Sequence, residues 1–527
     1  MRSKPRLFVF SHICSQTYVT GAEKLLLFML RELEPYFQCT LVVPNDGYLS
    51  ATAAARGIPV AVQPIPISVP LYLAQPHLLE ELHQFRSKAD YAALVHLLAS
   101  QRPDAVLVNT VVHPMPAIAA KELGIPVVWS VMETIRSTPC TADAVTLIQK
   151  YSDWIVGISE STLQPIRTFY PQMGSKMLLL PPSWHFEDLA PDTWQSNREL
   201  RRSGLAVKTQ HRLIGFIASS IYTNKGYMPF IEMAVEIAGR HPDALFLVVG
   251  NPVDRPLFDS GMDLARRSGI MDRFRWIRFE NRIETIYPAL DILVVPSMTA
   301  EGFGLTALEG LVFGKPVVAF ASGGLAEVMQ STGNAVYSAA VGDVPGLVSR
   351  VDGLLRSGSE MAEVGIRNRA AVERAYGIAA YRSKLVHLLN AMKVDAVVKP
   401  HLVRGSTPVV YLLEDGKLRP FVSEKFFLEA GYSFKDVVTV DDATIRALPL
   451  GELIGTLEQP VVLPSPALPP AAPKATRGLH KDRKRSGKER RRQAGTGSRK
   501  RSKPAGRRRS STRRSNNARK SRRRAKR

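Results

Sequence analysis

The segment "DILVVPSMTAEGFGLTALEGLVFGKPVVAFASGGLAEV", residues 291–328, joins two apolar runs through a loop rich in glycine and carboxylates. "DILVVPS" (291–297) and "KPVVAFA" (315–321) have the continuous apolar character of strands that are buried on both faces. "LTALEGLVFG" between them predicts a helix that ends at Gly314. Buried strands that alternate with helices are typical of a parallel sheet covered on both sides.

The same alternation extends over most of the chain and predicts two successive doubly wound α/β halves. It weakens across residues 181–210, which we interpret as containing the connection between the halves. Ligands of such sheets bind beyond the carboxyl ends of the strands, so a cleft between the halves is the expected site. The further predicted strands are 6–10, 39–44, 58–62, 105–110, 125–131, 153–159, 212–219, 244–250 and 274–279, and the further predicted helices are 22–33, 47–57, 117–124, 228–239 and 257–268.

The chain carries a net charge of +23 over 527 residues, and this charge is concentrated in one segment. Residues 476–527 contain 25 Lys/Arg and two acidic residues, whereas the rest of the chain has equal numbers of basic and acidic groups. This charge density predicts a disordered tail that contacts polyanions such as an anionic membrane surface, an acidic polymer or nucleic acid. The tail has no aromatic residues to stack on bases, so sequence-specific recognition of nucleic acid is not expected.

The chain shows no sign of export or membrane insertion. No apolar run reaches the ~18 residues that a membrane span needs, and the run 7–10 is too short for a signal peptide. The three cysteines form no Cys-x-x-Cys pair, which argues against a disulfide framework or a zinc site. We therefore expect a cytoplasmic protein that contacts an anionic membrane or surface assembly through its tail.

A third unit with its own turn and capping signals follows the two halves. Asp415–Gly416 predicts a hairpin turn, Ser423 is a candidate N-cap of a helix that ends at Gly431, and Asp441 or Asp442 is a candidate N-cap of another helix. The predicted parts are an N-terminal Rossmann-like domain (1–185), an interdomain connection (186–210), a C-terminal Rossmann-like domain (211–392), a small module of a β-hairpin and helices (400–456), a Pro/Ala-rich linker (457–475) and the tail (476–527).

Two carboxylates flank the glycines of the opening segment. Glu301 falls in the loop at the carboxyl end of a strand, and Glu309 falls in the early part of the following helix. Glycines let backbone N–H groups approach a ligand closely, and the N-terminus of a helix favours an anion. Eight residues along a helix correspond to roughly 12 Å and ~80° of rotation, so we do not expect the two carboxylates to form one acid pair.

This loop and helix closely resemble the Glu-x7-Glu signature of the retaining glycosyltransferases of family 4, which have the two-domain GT-B fold. The resemblance covers about residues 1–390 and continues through "GKPVVAFASGGLAEV" after the second glutamate. It implies an enzyme that moves a sugar from a nucleotide-diphospho-sugar to an acceptor, in bacterial glycan or glycoconjugate synthesis. It also places the donor on the C-terminal domain and the acceptor on the N-terminal domain.

The resemblance also assigns roles to individual residues. It implies that Glu309 binds the donor ribose, that Glu301 lies against the donor sugar, and that "NKG" (224–226) provides the phosphate-binding Lys225. "TGAEK" (20–24) resembles the loop that abuts the same phosphates. A lysine, loop amides and helix N-termini can stabilise negative charge on a leaving diphosphate, so neither a metal nor a cofactor is expected. The implied catalytic residues are Glu301 and Lys225, and the implied donor-binding residues are Gly21, Ser220, Lys225, Gly302, Phe303, Gly304, Leu305 and Glu309.

The acceptor side departs from the family pattern. Ser130 and Met132 stand where the family usually has histidines, and only Glu133 of that motif remains. Glu133, with His12 and His113, is therefore a candidate for contact with the acceptor.

A second departure leaves another interpretation open. Ser220 stands where the family usually has an arginine five residues before the lysine. A catalytically degenerate GT-B protein, which acts as a binding or structural component through its polycationic tail, is the alternative. Epimerases and phosphorylases of the same fold fit less well, because the former normally lack this Glu-x7-Glu block and the latter need a cofactor lysine that we cannot identify.

Overall fold

The computed structural model describes residues 4–17, 19–394, 401–414, 417–430, 432–440 and 442–455, all of which belong to one compact unit, Met1–Gln459. The predicted linker and tail, the predicted turn Asp415–Gly416, and the predicted cap positions Gly431 and Asp441 lie outside the described residues.

The N-terminal half is built on a seven-stranded sheet. Its strands are β1 (Arg6–Phe10), β2 (Gln38–Val43), β3 (Val60–Val62), β4 (Ala105–Asn109), β5 (Val127–Val131), β6 (Trp154–Gly157) and β7 (Met177–Leu179). They pair in parallel in the order β3-β2-β1-β4-β5-β6-β7. Every residue of β4 and β5 is buried, as expected when helices cover both faces of a parallel sheet.

Eight helices connect these strands. They are α1 (Gly21–Leu33), α2 (Tyr48–Ala55), α3 (Val69–Leu73), α4 (Leu78–Arg86), α5 (Ala89–Gln101), α6 (Pro114–Glu122), α7 (Thr141–Lys150) and α8 (Glu160–Phe169). A capping box sets the start of α1, because the Thr20 hydroxyl accepts the Glu23 N–H and the Glu23 carboxylate accepts the Thr20 N–H.

The C-terminal half repeats this architecture with a six-stranded parallel sheet. Its strands are β8 (Arg212–Ser220), β9 (Ala244–Asn251), β10 (Phe274–Ile277), β11 (Ile292–Val295), β12 (Val317–Phe320) and β13 (Ser338–Ala339), in the order β10-β9-β8-β11-β12-β13. Its helices are α9 (Trp194–Gly204) from the connection, α10 (Tyr227–Arg240), α11 (Arg255–Arg267), α12 (Leu305–Val312), α13 (Gly323–Ser331), α14 (Val344–Arg356) and α15 (Gly358–Tyr376). Two doubly wound halves are thus confirmed.

The chain crosses between the halves twice. On the first crossing, α9 is attached to the C-terminal sheet by two arginines, Arg198 and Arg202, which pair with Asp291 just before β11 at 2.7 and 2.9 Å. On the second crossing, α16 (Ile378–Ala391) packs its buried side chains, including Leu385, into the core of the N-terminal half. The predicted domain boundaries, which assign this helix to the C-terminal domain, stay predictions.

A small mixed sheet forms the third unit. Its strands are β14 (His401–Arg404), β15 (Val410–Glu414), β16 (Lys417–Pro420) and β17 (Val437–Thr439), and its helices are α17 (Glu424–Glu429) and α18 (Asp442–Ala447). The antiparallel pairing of β15 with β16 confirms the predicted hairpin strands. Ser423 caps α17 as predicted, whereas the Asp442 carboxylate accepts the N–H and hydroxyl of Ser406.

The two halves are in direct contact at the loop 301–304, which the resemblance assigns to donor binding. The Ser159 hydroxyl donates to the carbonyl of Gly302 at 2.6 Å. The Glu327 carboxylate accepts the N–H groups of Glu160 and Ser161 at the first turn of α8, at 2.9 and 2.7 Å. A carboxylate is well placed there, since a helix N-terminus carries partial positive charge. These contacts position the loop 301–304 against the N-terminal half.

We expect Gly302→Ala to separate the halves. A Cβ at Gly302 would lie 1.9 Å from the carbonyl oxygen of Met132, so the contact cannot close without a shift of backbone. The cost is about 1 to 3 kcal/mol, as for overpacked sites. Small-angle scattering should show a larger radius of gyration. Gly239→Ala on α10 is the control, because a Cβ there meets no atom within 4 Å; an equal change in both variants would contradict the prediction.

Among the described residues, no helix combines the length and apolar character that crossing a bilayer requires.

Candidate functional site

A cavity of about 250 Å³ lies where the carboxyl ends of the two sheets face each other. We call it the donor cavity. The C-terminal half supplies most of its wall, and the segment before and at the start of α1 closes it from the N-terminal half. Its lining is Val19, Gly21, Lys24, Phe216–Ser219, Lys225, Val249, Phe279, Glu280, Ile283, Val294–Ser297, Glu301, Gly304–Thr306 and Glu309.

Lys225 and Glu301 form an ion pair in this wall. The Lys225 Nζ donates to Glu301 Oε1 at 2.8 Å, and the Ser297 hydroxyl donates to the same oxygen at 2.6 Å. Burial alone would raise the pKa of Glu301, but the Lys225 ammonium and the two hydrogen bonds outweigh it and hold that pKa below its usual value. Glu301 is therefore ionised at neutral pH, and the side chain of Lys225, which lines the cavity, stays 37% exposed.

The backbone conformation and the surroundings of residue 226 require a glycine after the lysine. Its φ is +75°, a left-handed conformation that glycine adopts without strain. A Cβ there would also lie 1.7 Å from the carbonyl oxygen of Pro296. The "NKG" turn can thus approach the strand end that carries Ser297 and Glu301 only because residue 226 has no side chain.

Glu309 also lines the cavity, from the second turn of α12. The hydroxyl of the fully buried Tyr287 donates to Glu309 Oε2 at 2.5 Å, and the Lys24 ammonium lies 3.7 Å from Oε1. Burial, and then the Glu309 charge, raise the pKa of Tyr287 well above its usual value, so the phenol remains a hydrogen-bond donor. Glu301 and Glu309 thus have different partners, as the spacing predicts.

The N-terminus of α12 opens into the cavity between these two carboxylates. Gly304 precedes the helix with a φ of +96°, and a Cβ there would meet Leu325 Cα at 2.9 Å. Gly304 and Leu305 line the cavity, whereas two other predicted residues do not. Phe303 is buried with its ring 5.3 Å from that of Tyr376, and Gly302 faces the N-terminal half.

Two further predicted donor residues differ in position. Gly21 is the first residue of α1 and lines the cavity, with Leu305 3.5 Å from the position that a Cβ would take. Ser220 pairs with Asn251 of β9, and Ser219 is the residue that lines the cavity instead. Ser220 is partly exposed and does not line the cavity, so position 220 supplies no cation there.

The three predicted acceptor-side residues follow neighbouring strands of the N-terminal sheet, outside the lining of the donor cavity. Burial lowers the pKa of His12 to about 4, and burial together with His12 lowers the pKa of His113 to about 3. Both imidazoles are neutral at pH 7. Burial raises the pKa of Glu133 to about 7, against the opposing hydrogen bond from the Val111 N–H at 2.9 Å.

This region holds several buried polar atoms that have no hydrogen-bond partner among the described residues. They are His12 Nδ1, Asn109 Nδ2 and Oδ1, Thr110 Oγ1, His113 Nδ1 and Nε2, Ser130 Oγ and Thr134 Oγ1. Buried polar groups are normally paired with protein or water, so a concentration of unpaired ones at strand ends is typical of a surface that meets a polar ligand or water.

Glu133→Gln tests the raised pKa of this carboxyl. Between pH 4.5 and about 7, Glu133 is protonated in the folded protein but ionised in the unfolded chain. The free energy of unfolding of wild type therefore falls as pH rises through this range, and the loss is complete above pH 7. Relative to wild type, the free energy of unfolding of the variant should therefore rise between pH 5 and pH 8, by at most about 3 kcal/mol. Paired thermal melts measure the difference; a constant difference between the two pH values would contradict the prediction.

Three residues of the site were not predicted individually from the sequence. Ser297 and Tyr287 orient the two glutamates, and Lys24 reaches Glu309 from the other half of the molecule. Lys24 lies in the quoted "TGAEK" motif, so the motif itself was a signal. For Tyr287, 22 residues before Glu309, the sequence offers only an aromatic residue among apolar ones.

Comparison with known proteins agrees with this fold. Residues 197–371 match the family model described as "Glycosyl transferases group 1". The chain is 30% identical over 164 residues to 2-deoxystreptamine N-acetyl-D-glucosaminyltransferase of Streptomyces fradiae, which covers 29% of this chain and 38% of that protein. It is 36% identical over 154 residues to D-inositol 3-phosphate glycosyltransferase of Mycobacteroides abscessus, covering 28% and 32%. The matches thus span about a third of the length of these curated relatives.

Solved structures extend the likeness over both halves. Anabaena HepE, solved in complex with UDP and glucose, matches with a TM-score of 0.59 and 18% identity over 73% of this chain and 100% of its own. Sucrose-phosphate synthase of Thermosynechococcus elongatus matches with a TM-score of 0.57 and 14% identity over 74% and 99%. At these identities the likeness shows the fold alone. The chain therefore has the GT-B fold, and its residues 197–371 are similar to the group 1 glycosyl transferases.

Proposed function

We propose that this chain transfers a sugar from a nucleotide-diphospho-sugar to an acceptor hydroxyl, with retention of configuration, as a family 4 glycosyltransferase. One observation carries the proposal: Lys225 with Glu301, the N-terminus of α12, and Glu309 all border one cavity. A lysine and helix amides suit a diphosphate, and a carboxylate suits the hydroxyls of a ribose. The related proteins named glycosyltransferases and the HepE complex with UDP support the same ligand class.

The residues then act in the following way. Lys225 and the amides at the start of α12 hold the diphosphate and stabilise the charge that develops when the bond between sugar and phosphate breaks. The acceptor oxygen bonds to the anomeric carbon on the face that the nucleotide leaves, and its proton passes to the diphosphate. Glu301 lies against the sugar and fixes Lys225, while Glu309 binds the ribose. Lys225, Glu301 and the helix N-terminus are the electrostatic machinery, with no metal or cofactor among the expected participants.

We place the acceptor on the N-terminal half, beside His12, His113 and Glu133. The unpaired polar atoms around these residues support a hydroxyl-bearing acceptor, because neutral imidazoles and a carboxyl can each both donate and accept hydrogen bonds. The acceptor itself, whether glycan, lipid or protein, is to be identified by experiment.

Nucleotide-sugar binding by the full chain is the first test. A panel of UDP-, GDP- and ADP-sugars is screened by thermal shift and by nucleotide release. A donor at about 100 times its dissociation constant should stabilise the protein by about 2.7 kcal/mol. One donor that stabilises wild type but not Glu309→Ala, and that releases nucleotide, would support the proposal. If no donor stabilises a folded protein, the transferase proposal fails.

We also propose that the tail binds polyanions non-specifically and holds the enzyme at an anionic surface. Its charge supports this, since 25 basic side chains release many counterions from a polyanion. Deleting 476–527 should abolish salt-sensitive binding to anionic vesicles, heparin and nucleic acid while donor turnover continues. Lost turnover in a folded truncation would contradict this division between catalysis and localisation.

A further inference from the structure

Lys24 lines the donor cavity but has no role in the proposed reaction. Among the described residues that line this cavity, only Lys24 and Lys225 are basic. Lys225 is held by Glu301 at 2.8 Å, and Glu280, a further acidic residue of the lining, pairs with Arg201 at 2.7 Å. The negative charge of a diphosphate therefore meets two cations in this wall, and one of them already has a close carboxylate partner.

The first turns of α1 and α12 place Lys24 beside the start of both helices. Gly21 and Lys24 share one face of α1, and Leu305 and Glu309 share one face of α12, because residues three or four apart are neighbours on a helix. A Cβ at Gly21 would lie 3.5 Å from Leu305 Cδ2, and the Lys24 Nζ lies 3.7 Å from Glu309 Oε1. The two first turns thus lie side by side, and both begin at the donor cavity.

The contact between Lys24 and Glu309 is loose. Its 3.7 Å is longer than a hydrogen bond, and the Lys24 ammonium donates no hydrogen bond within the part of the chain that the structure describes. The side chain is 35% exposed. The other oxygen of Glu309 already accepts the Tyr287 hydroxyl at 2.5 Å. A ribose that donates to Glu309 would therefore compete with the ammonium for Oε1, and the ammonium would need another acceptor.

The phosphates of a donor would lie within reach of this ammonium. The N-terminus of α12 is about one helical turn from Glu309, roughly 6 Å along the axis. Helix side chains lean toward the N-terminus of their helix, so Lys24 can turn toward the phosphates by side-chain rotation alone. The backbone of α1 is anchored at its other end, where the buried Glu32 carboxylate lies 2.7 Å from both His185 Nε2 and Arg382 Nε.

We propose that Lys24 is the second cation of the donor site and donates to the phosphate next to the ribose. It supplies from the N-terminal half the positive charge that Ser220 does not supply from the C-terminal half. In the empty protein its ammonium lies against Glu309; when the ribose binds Glu309, the ammonium turns to the phosphate. The diphosphate is then held between Lys225 of one half and Lys24 of the other. This inference rests on the proposed transferase function.

UDP, GDP and ADP and their nucleosides are the probes, titrated calorimetrically into the full chain, the nucleosides by displacement of the diphosphate. Salt at about 0.3 M weakens contacts with the basic tail, which is the same in every variant. Lys24→Gln should weaken the diphosphate that binds wild type about 10- to 100-fold, as for loss of a charge-assisted hydrogen bond, and should change the affinity for its nucleoside less than about twofold. Lys24→Arg, which keeps the charge, should bind the diphosphate more tightly than Lys24→Gln.

Two further variants separate a phosphate contact from an effect through the ribose site. Glu309→Gln should weaken nucleoside and diphosphate by the same factor, because both contain the ribose. Lys121→Gln removes a lysine of similar exposure that pairs with Asp153 at 2.9 Å outside the cavity lining, and it should change neither affinity.

The proposal is overturned if folded Lys24→Gln binds the diphosphate as tightly as wild type, or if Lys24→Arg binds it no better than Lys24→Gln. It is also overturned if Lys24→Gln weakens nucleoside and diphosphate by the same factor, because Lys24 would then act only through Glu309. If wild type binds none of the three diphosphates, the transferase proposal itself fails and this inference fails with it.

Discussion

Lys225→Ala is expected to lower kcat/KM for sugar transfer about 10²- to 10³-fold, the effect of removing one group that stabilises developing negative charge. The lysine ammonium is held against the cavity by Glu301 and cannot be replaced from position 220, where the chain has a serine. Steady-state kinetics with the donor identified in the panel measure the loss. Lys225→Arg should retain part of the activity, because it keeps the charge.

Loss of Lys225 also leaves Glu301 without its cation, and this second effect has to be separated from the first. A partly buried carboxylate that loses its partner destabilises the fold and raises its own pKa. In the double variant Lys225→Ala/Glu301→Gln, stability should recover while turnover stays low. Lys176→Ala, at an exposed lysine of the N-terminal half, is the matched control. Full kcat/KM in folded Lys225→Ala would remove this lysine from the mechanism.

Glu309→Gln is expected to weaken UDP binding about 10- to 100-fold, because a charged acceptor of ribose hydroxyls is replaced by a neutral one. Tyr287→Phe should weaken binding only about two- to fivefold, since the phenol orients the carboxylate and does not contact the nucleotide in the proposed arrangement. Calorimetric titration with UDP measures both variants.

The loss of UDP affinity should be larger in Glu309→Gln than in Tyr287→Phe. Glu236→Gln, at an exposed i,i+4 pair with Arg240, controls for loss of a carboxylate and should leave the dissociation constant unchanged. Glu309→Gln/Tyr287→Phe should bind no more weakly than Glu309→Gln alone, because the phenol acts through the carboxylate. If Tyr287→Phe weakens binding as much as Glu309→Gln, or if neither does, the assigned roles are wrong.

Much of the fold could be predicted because its signals are local. Continuous apolar runs predict β1, β4 and β11 to within a residue or two, since a strand that is buried on both faces has to be apolar throughout. No helix was predicted at α3, α4, α5, α7, α8, α9, α13, α14, α15 or α16, and several of these sequences are short or contain a proline. The helix α16 has a clear apolar face, but that face does not say which of two sheets it covers.

The sequence by itself determined the two doubly wound halves, the position of the Glu301–Glu309 loop at a strand end, and the glycines that this loop requires. These features depend on periodicity and on backbone conformation within a few residues. Only the tertiary structure decided that Lys225 pairs with Glu301, that Tyr287 and Lys24 converge on Glu309 from different halves, and that Gly302 touches Met132. Such contacts join residues that are far apart in the chain. The packing of the two domains brings these residues together, and that packing leaves no local pattern in the sequence.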